Sequence, residues 1–498
     1  MPEAASQPQH HVTAAADRIP IFQKAIYSIG GFVNSFQAAA LGAMVIVLNL
    51  GLGVNPALVG LVGFIPRIFD AITDPITGYI SDNIRTPWGR RRPIIFLGAI
   101  AGGLFYALMF QLHQGYSQTY YFWYFLLFQC LFFLGFTCFS IPWIALGYEM
   151  TPDYHERTRL QGASNFVAQF SWVVAPWFFK IMQNKSMFTD LVHGARVLAL
   201  IVGALIAVGG MLPAIFIKEH FADLPKPKRE KGAWNVTKDF FKGFAVTFKC
   251  GPFVKLCAAT FLIFNGFMLA SAFSAYVIFF YVFGGDYSKG GTLLGWFGSL
   301  SSLCTFCVIL IATKLSTMIG KKKAILITLS LSIIGYALKW LGYNPQHPYL
   351  LLIAAPFMAF GLGSLFTLVS SMVADVCDLD ELKTNERREG MYSAVYWWMV
   401  KLGLAISSLI SGFLINASGF NVALGAAQST RTLLYMRLFD IGIPIVTTSI
   451  AIVVLASFPL SEQHAYENRQ NLERRREERR KEEIRVEEER RKGERRQE

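Results

Sequence analysis

Pro66-Arg67-Ile68-Phe69-Asp70-Ala71-Ile72-Thr73-Asp74-Pro75-Ile76-Thr77-Gly78 places two acids and a base inside an apolar segment that runs from about residue 56 to 82. A segment of that length spans a hydrocarbon core about 30 Å thick. Eleven more apolar segments recur, near 26–50, 93–113, 120–148, 160–183, 195–217, 252–284, 290–313, 322–343, 348–375, 391–415 and 434–459. Of the 498 residues 53% are hydrophobic and only 16% charged, whereas soluble domains average about 25% charged. A soluble multidomain enzyme is excluded. The expected fold is an all-α membrane protein with twelve transmembrane helices.

The net charge of +13 does not signal nucleic acid. The C-terminal stretch 461–498 holds 13 basic and 12 acidic residues and so cancels itself. The surplus sits in short loops, where it reports topology. Arg85, Arg90, Arg91, Arg92, Arg157, Arg159, Lys218, Lys321, Lys322, Lys323, Lys383, Arg387 and Arg388 all fall on one side, while Leu112 to Tyr120 has no Lys or Arg. Both termini are therefore expected in the cytoplasm. The connector with Pro225, Lys226, Pro227, Lys228, Arg229, Glu230 and Lys231 splits the chain into halves. The expected organisation is an N-terminal arm (1–25), a six-helix bundle (26–217), a cytoplasmic linker (218–251), a second six-helix bundle (252–460) and a charged helical tail (461–498). Gly89-Arg90-Arg91-Arg92 and Gly320-Lys321-Lys322-Lys323 stand at equivalent places in the two halves, so the bundles are pseudo-symmetric. That repeat is typical of transporters with a midplane substrate site. No nucleophile, His cluster or cofactor loop is evident, and Cys304 and Cys307 form a lone CxxC in an apolar run. The reading is not an enzyme, with no metal and no cofactor.

Charges inside a span are costly and therefore point to function. Asp70 and Asp74 share a helix face one turn apart, with Thr73 and Thr77 beside them. Pro75 cannot donate to the carbonyl of Ala71, which leaves a backbone oxygen beside the carboxylates. This all-oxygen set suits a small hard cation, and it equally suits a shared proton. Pairing of Arg67 with Asp70 is the structural alternative. Lys401 lies alone in the uncharged run 391–415; it needs a carboxylate, and Asp70/Asp74 are the candidates, which makes Lys401 and Arg67 coupling residues. Asp82, Arg85, Arg90, Arg91 and Arg92 form a cytoplasmic gate, with Asp375, Asp378, Asp380 and Glu381 as acids on the other half. Tyr396, Trp397 and Trp143 offer aromatic faces to a bound solute, with plain core packing the alternative.

The run Arg67 to Gly78, followed by Ser81-Asp82 and Gly89-Arg90-Arg91-Arg92-Pro93, resembles the glycoside–pentoside–hexuronide:cation symporters, the melibiose-permease-like branch of the major facilitator superfamily. Ser140-Ile141-Pro142-Trp143, and Ala374-Asp375-Val376 through Arg387-Arg388-Glu389-Gly390-Met391-Tyr392-Ser393-Ala394, resemble that family too. The resemblance implies the major facilitator fold and alternating access. It implies that Asp70 and Asp74 are cation-site carboxylates, Thr137 a hydroxyl ligand from the fourth helix, and Lys401 the helix-eleven lysine. Thr73 replaces an Asn that tunes sodium use in melibiose permease, so the coupling ion is sodium or proton. Where that permease has sugar-binding acids, this chain has Asn34 or Ser35 and then Ser140, and its helix-five Arg becomes Asn165. Melibiose is thus disfavoured, because charge-assisted hydrogen bonds are lost.

The function expected is cation-coupled import of a glycoside or related sugar. The implied partners are that small molecule and the lipid bilayer. A bacterial inner (plasma) membrane follows from the resemblance. A lysolipid transporter, a proton-coupled disaccharide carrier resembling sucrose–proton carriers, and a nontransporting sensor acting through its charged tail remain the alternatives.

Overall fold

The computed structural model describes residues 18–151, 153–219, 246–384 and 388–460, with isolated positions at 238, 243–244 and between 463 and 478. The linker run Pro225–Lys231, Arg387 and most of the two tails lie outside the described residues. Among the described residues the regular elements are all helices. The transmembrane helices are α1 (Ile21–Met44), α2 (Pro56–Asn83), α3 (Arg92–Met109), α4 (Gln118–Glu149), α5 (Tyr154–Val174), α6 (Leu191–Phe216), α7 (Gly251–Tyr276), α8 (Tyr287–Ile319), α9 (Lys321–Gly342), α10 (Pro348–Thr384), α11 (Glu389–Ala417) and α12 (Thr430–Ala456). Among the described residues, eleven of these are long and apolar enough to cross a membrane. The exception is α5, whose Glu156, Arg157, Arg159, Gln161, Asn165 and Gln169 dilute its hydropathy. It continues through a 3-10 turn at Ala175–Trp177, imposed around Pro176, into Phe178–Met182.

Helix starts follow local chemistry. Asn55, Ser117, Asp153 and Asp190 each accept the backbone N–H of the second or third residue of α2, α4, α5 and α6, satisfying donors that a helix leaves orphaned. Two boundaries differ from the sequence expectation. Helix α1 begins at Ile21, inside the expected arm, because Pro20 ends the preceding extended backbone. Helix α10 runs to Thr384, so Asp375, Asp378, Asp380 and Glu381 stand on a helix; the run holds no Gly or Pro to stop it.

The residues cluster into two compact units. The first comprises 1–238, 275–302 and 408–436, and the second 239–274, 303–407 and 437–498. Helices α7, α8, α11 and α12 thus each contribute to both.

In the first unit the backbones of α3, α4 and α6 approach closely through glycine, as is common between membrane helices. A Cβ at Gly98 would sit 2.5 Å from the Phe139 nitrogen and one at Gly135 2.5 Å from the Gly102 nitrogen. Gly103 and Gly203 face each other's carbonyls. The unit also joins α5 to α8. Trp177 Nε1 donates to Ser299 Oγ at 2.9 Å, Ser302 Oγ donates to the Trp172 carbonyl, and Lys180 Nζ donates to Ser288 Oγ at 2.8 Å.

In the second unit a core of Phe253, Leu329, Leu365, Met372, Tyr392, Val395 and Leu455 packs α7 and α9–α12 together. The tail also contributes. Leu472 is only 4% exposed, and Arg475 Nη1 donates to the Leu382 carbonyl at 2.9 Å. The expectation of a charged helical tail did not mark Leu472, because a single leucine in a charged run leaves no periodic stripe to read.

Candidate functional site

The acids of α2 meet α4 inside the first unit. Asp70 is fully buried and Asp74 half-buried. The Thr137 hydroxyl lies 2.7 Å from Asp70 Oδ1 and 3.2 Å from Asp74 Oδ1, within donating distance of both. Thr73 Oγ1 instead donates to the Asp70 carbonyl at 3.1 Å. Pro75 lies inside α2, as the sequence implies. The Arg67 guanidinium sits over the Phe133 ring at 4.4 Å and within coulombic range of both acids. Two carboxylates, a shared hydroxyl and a backbone oxygen are hard ligands. The Gly contacts between α3 and α4 fix the helix that carries Thr137.

The neutral side chains expected at a sugar site spread more widely. Ser140 and Trp143 are buried, Asn34 and Ser35 are half-buried, and Asn165 is exposed. The Trp143 ring stacks on Tyr27 at 4.8 Å and lies parallel to Phe139 at 6.2 Å, so its faces are engaged in packing. Two residues escaped the sequence reading. Gln37, fully buried one turn after Asn34, has neither amide atom hydrogen-bonded to a described residue, and Gln129 Oε1 is likewise unbonded. Asn34 Oδ1 and Trp143 Nε1 share that condition. The signal was available: amides inside otherwise apolar helices are expensive without partners.

In the second unit Tyr396 is buried, while Trp397 is 51% exposed and stacks parallel to Phe366 at 5.8 Å. Lys401, one turn further along α11, is half-buried.

The arginine loop finds acids that the sequence reading did not assign. Arg90 and Arg91 both pair with Glu149, Arg91 Nη2 at 2.7 Å, and Arg91 also meets Asp82 at 3.1 Å. Arg92 donates to the carbonyls of Ala214 and Ile215. Arg85 donates to the carbonyls of Asp82 and Ile84. Glu219 accepts the backbone N–H groups of Arg90, Arg91 and Arg92 at 2.8, 2.7 and 2.9 Å. It caps α3 where the helix dipole favours an anion. In the second unit Asp375 pairs with Lys321 at 2.7 Å, and Asp380 lies 4.0 Å from Arg388. Asp378 and Glu381 follow on the same helix. Glu149 is the only acid in α4 and its last residue, so the sequence shows the acid but not the arginines it meets.

Gly89 makes the Glu219 cap possible: its φ is +115°, and a Cβ there would lie 2.8 Å from Glu219 Oε1. Gly89→Ala should therefore destabilise the protein by about 1–3 kcal/mol through backbone strain and loss of the cap. Thermal melting of the purified protein checks this, with Glu219→Gln expected to lose less than Glu219→Ala.

The family model described as MFS/sugar transport protein matches residues 29–462. The isoprimeverose transporter of Lactiplantibacillus pentosus is 22% identical, over 92% of this chain and 98% of its own. The sodium-dependent lysophosphatidylcholine symporter 1 of Gallus gallus is 22% identical, over 95% of this chain and 92% of its own. Among solved structures, an inward-facing, occupied bacterial homolog of the human lysosomal transporter Spinster superposes with a TM-score of 0.65 at 16% identity, covering 88% of this chain and 96% of that one. That likeness is one of fold.

Proposed function

The chain belongs to the MFS/sugar transport protein family, and we propose that it is a cation-coupled symporter that imports a glycoside or related sugar by alternating access. The Thr137 hydroxyl within reach of both Asp70 and Asp74 is the observation that carries this reading. It draws two like charges toward a point where a sodium ion or proton would neutralise them. Loading of the cation site would then free the protein to exchange access between the bundles 26–217 and 252–460.

The solute is assigned to the neutral polar groups of α1 and α4. Asn34, Gln37, Gln129 and Trp143 carry buried polar atoms that a hydroxyl-rich ligand would satisfy, each otherwise costing about 1–3 kcal/mol. Ser35, Ser140 and Asn165 extend that polar set within the first unit. The likeness to the isoprimeverose transporter supports a glycoside. A lysolipid is the second reading, favoured by the likeness to the sodium-dependent lysophosphatidylcholine symporter and by the packed faces of Trp143. The membrane is assigned as a plasma membrane with both termini cytoplasmic, on the side of the basic loops.

Proteoliposomes offered a pool of glycosides, pentosides, hexuronides and lysophosphatidylcholine test these assignments together. An inward sodium gradient and an inward proton gradient are applied in turn, and contents are read by mass spectrometry. One sugar concentrated under one gradient names both solute and cation. Accumulation of the lysolipid alone overturns the sugar assignment, and failure of every compound under both gradients overturns the symporter reading. Lys401→Gln should retain membrane insertion but lose about tenfold or more in gradient-driven uptake if its ammonium takes part in coupling, a loss of about 1.4 kcal/mol per decade. Uptake at the parent rate would remove Lys401 from the mechanism.

A further inference from the structure

A second group of intramembrane charges lies wholly inside the second unit and plays no part in the site above. Lys339, near the end of α9, and Asp440, in the middle third of α12, are both 0% exposed. Lys339 Nζ donates to Asp440 Oδ1 at 2.6 Å and to Ser274 Oγ of α7 at 2.8 Å. Ser274 Oγ lies 2.9 Å from Asp440 Oδ1 and 2.7 Å from the Ala270 carbonyl. Tyr343 Oη, just past α9, donates to Asp440 Oδ2 at 2.7 Å. Both carboxylate oxygens are engaged, and the ammonium is held between an anion and a hydroxyl.

A buried ion pair is a poor device for stability alone, because an apolar pair of similar volume often serves as well or better. Its value lies in direction: a satisfied network holds one arrangement of helices where greasy contacts tolerate sliding. The arrangement held here matters. The division between the two units falls immediately after Ser274 on α7 and just before Arg437 on α12. Beyond Ser274, α7 continues as a π-helical segment, Val277–Val282. There Tyr276 Oη donates to Asn49 Oδ1 at 3.0 Å and Phe279 stacks on Phe179 at 4.5 Å, both within the first unit. The π geometry loosens the regular hydrogen-bond ladder and commonly marks functional irregularity.

We propose that Lys339 and Asp440, with Ser274 and Tyr343, form a positioning network that stays ion-paired through the transport cycle and fixes Ser274 as the point beyond which α7 bends. The other titratable groups facing it are Tyr336, one turn earlier on α9, and Arg437 on α12, whose guanidinium stacks on Trp340 at 4.1 Å. The inference needs no particular solute, and its test uses none.

Hydrogen–deuterium exchange on the purified full chain provides that test. Lys339→Met or Asp440→Asn alone leaves an unpaired buried charge, and most of the folded protein should be lost. The double variant Lys339→Met/Asp440→Leu removes both charges and should return to the membrane in near-parental amount with a melting point within a few degrees. In that variant, peptides covering 260–274 should exchange about tenfold faster than in the parent, because α7 is no longer pinned. Peptides of 21–44 should be unchanged. If the double variant fails to insert, Ser274→Ala carries the same test, with a smaller acceleration over 260–274. Unchanged exchange of 260–274 in the folded variant overturns the proposal and reduces the network to packing. Loss of that protection in the parent between pH 5 and 8, after correction for intrinsic exchange, overturns it as well, since the network would then be a proton switch and not a permanent pin.

Discussion

Asp74→Asn should leave the protein inserted and folded yet abolish its ability to concentrate solute, by a factor of about a hundred or more, equivalent to about 2.7 kcal/mol. The carboxylate shares the Thr137 hydroxyl with Asp70, and the amide that replaces it has the same shape with half the acceptor capacity and no charge. A candidate cation site, which would have to offset a hard ion's hydration, cannot lose a charged oxygen ligand cheaply. Asp70→Asn should do the same and also lower folded yield, because Asp70 is fully buried beside Arg67 and its removal leaves that guanidinium less compensated. Uptake driven by a cation gradient, set against solute exchange with no gradient, separates the two effects. Retained exchange with lost accumulation locates the damage in coupling. Normal accumulation in Asp74→Asn would remove the cation site from this pair.

Gly412→Val should stop transport almost completely by a different route. In the first unit α2 and α11 meet backbone to backbone: a Cβ at Gly60 would lie 2.8 Å from the Ser408 carbonyl, and one at Gly63 2.7 Å from Ser408 Cβ. A Cβ at Gly412 would press directly on the Pro56 carbonyl and lie 2.9 Å from Gly60 Cα. Backbone cannot retreat as a flexible side chain can, so a valine forces the two helices apart. Overpacking of this kind costs about 1–3 kcal/mol even where neighbours yield. We expect uptake below about one hundredth of the parent, with membrane insertion retained and cysteines placed along this helix contact newly reactive to a water-soluble thiol reagent. Uptake within twofold of the parent would mean that this contact need not form during the cycle.

The membrane class, the helix count and the acids of the candidate cation site were open to a reader of the sequence because each rests on local physics. A charge in an apolar run is visible without knowing what surrounds it, and Asp70 with Asp74 is a spacing on one helix. Lys339 and Asp440 obey the same rule and were nevertheless missed. Lys339 lies at the end of its segment, where a lysine can reach water and reads as an interfacial anchor, and Asp440 stands 101 positions away on another helix. Glu149 and Glu219 were passed over for a related reason: each is an unremarkable acid at a helix end until the fold brings the arginine loop to it. Gln37 and Gln129 carry no charge, so only their burial without protein partners marks them.

What the sequence by itself determined is the solvent of this protein. Twelve apolar segments, basic loops on one side and two intramembrane carboxylates a turn apart follow from composition and spacing along single helices. Only the tertiary structure decided which charges answer which. It gave the arginine loop to Glu149 and Glu219, and Lys339 to Asp440. Pairing between helices is chosen by how close their backbones can come, and that is set by glycines and buried shapes distributed over the whole chain, which no single segment contains.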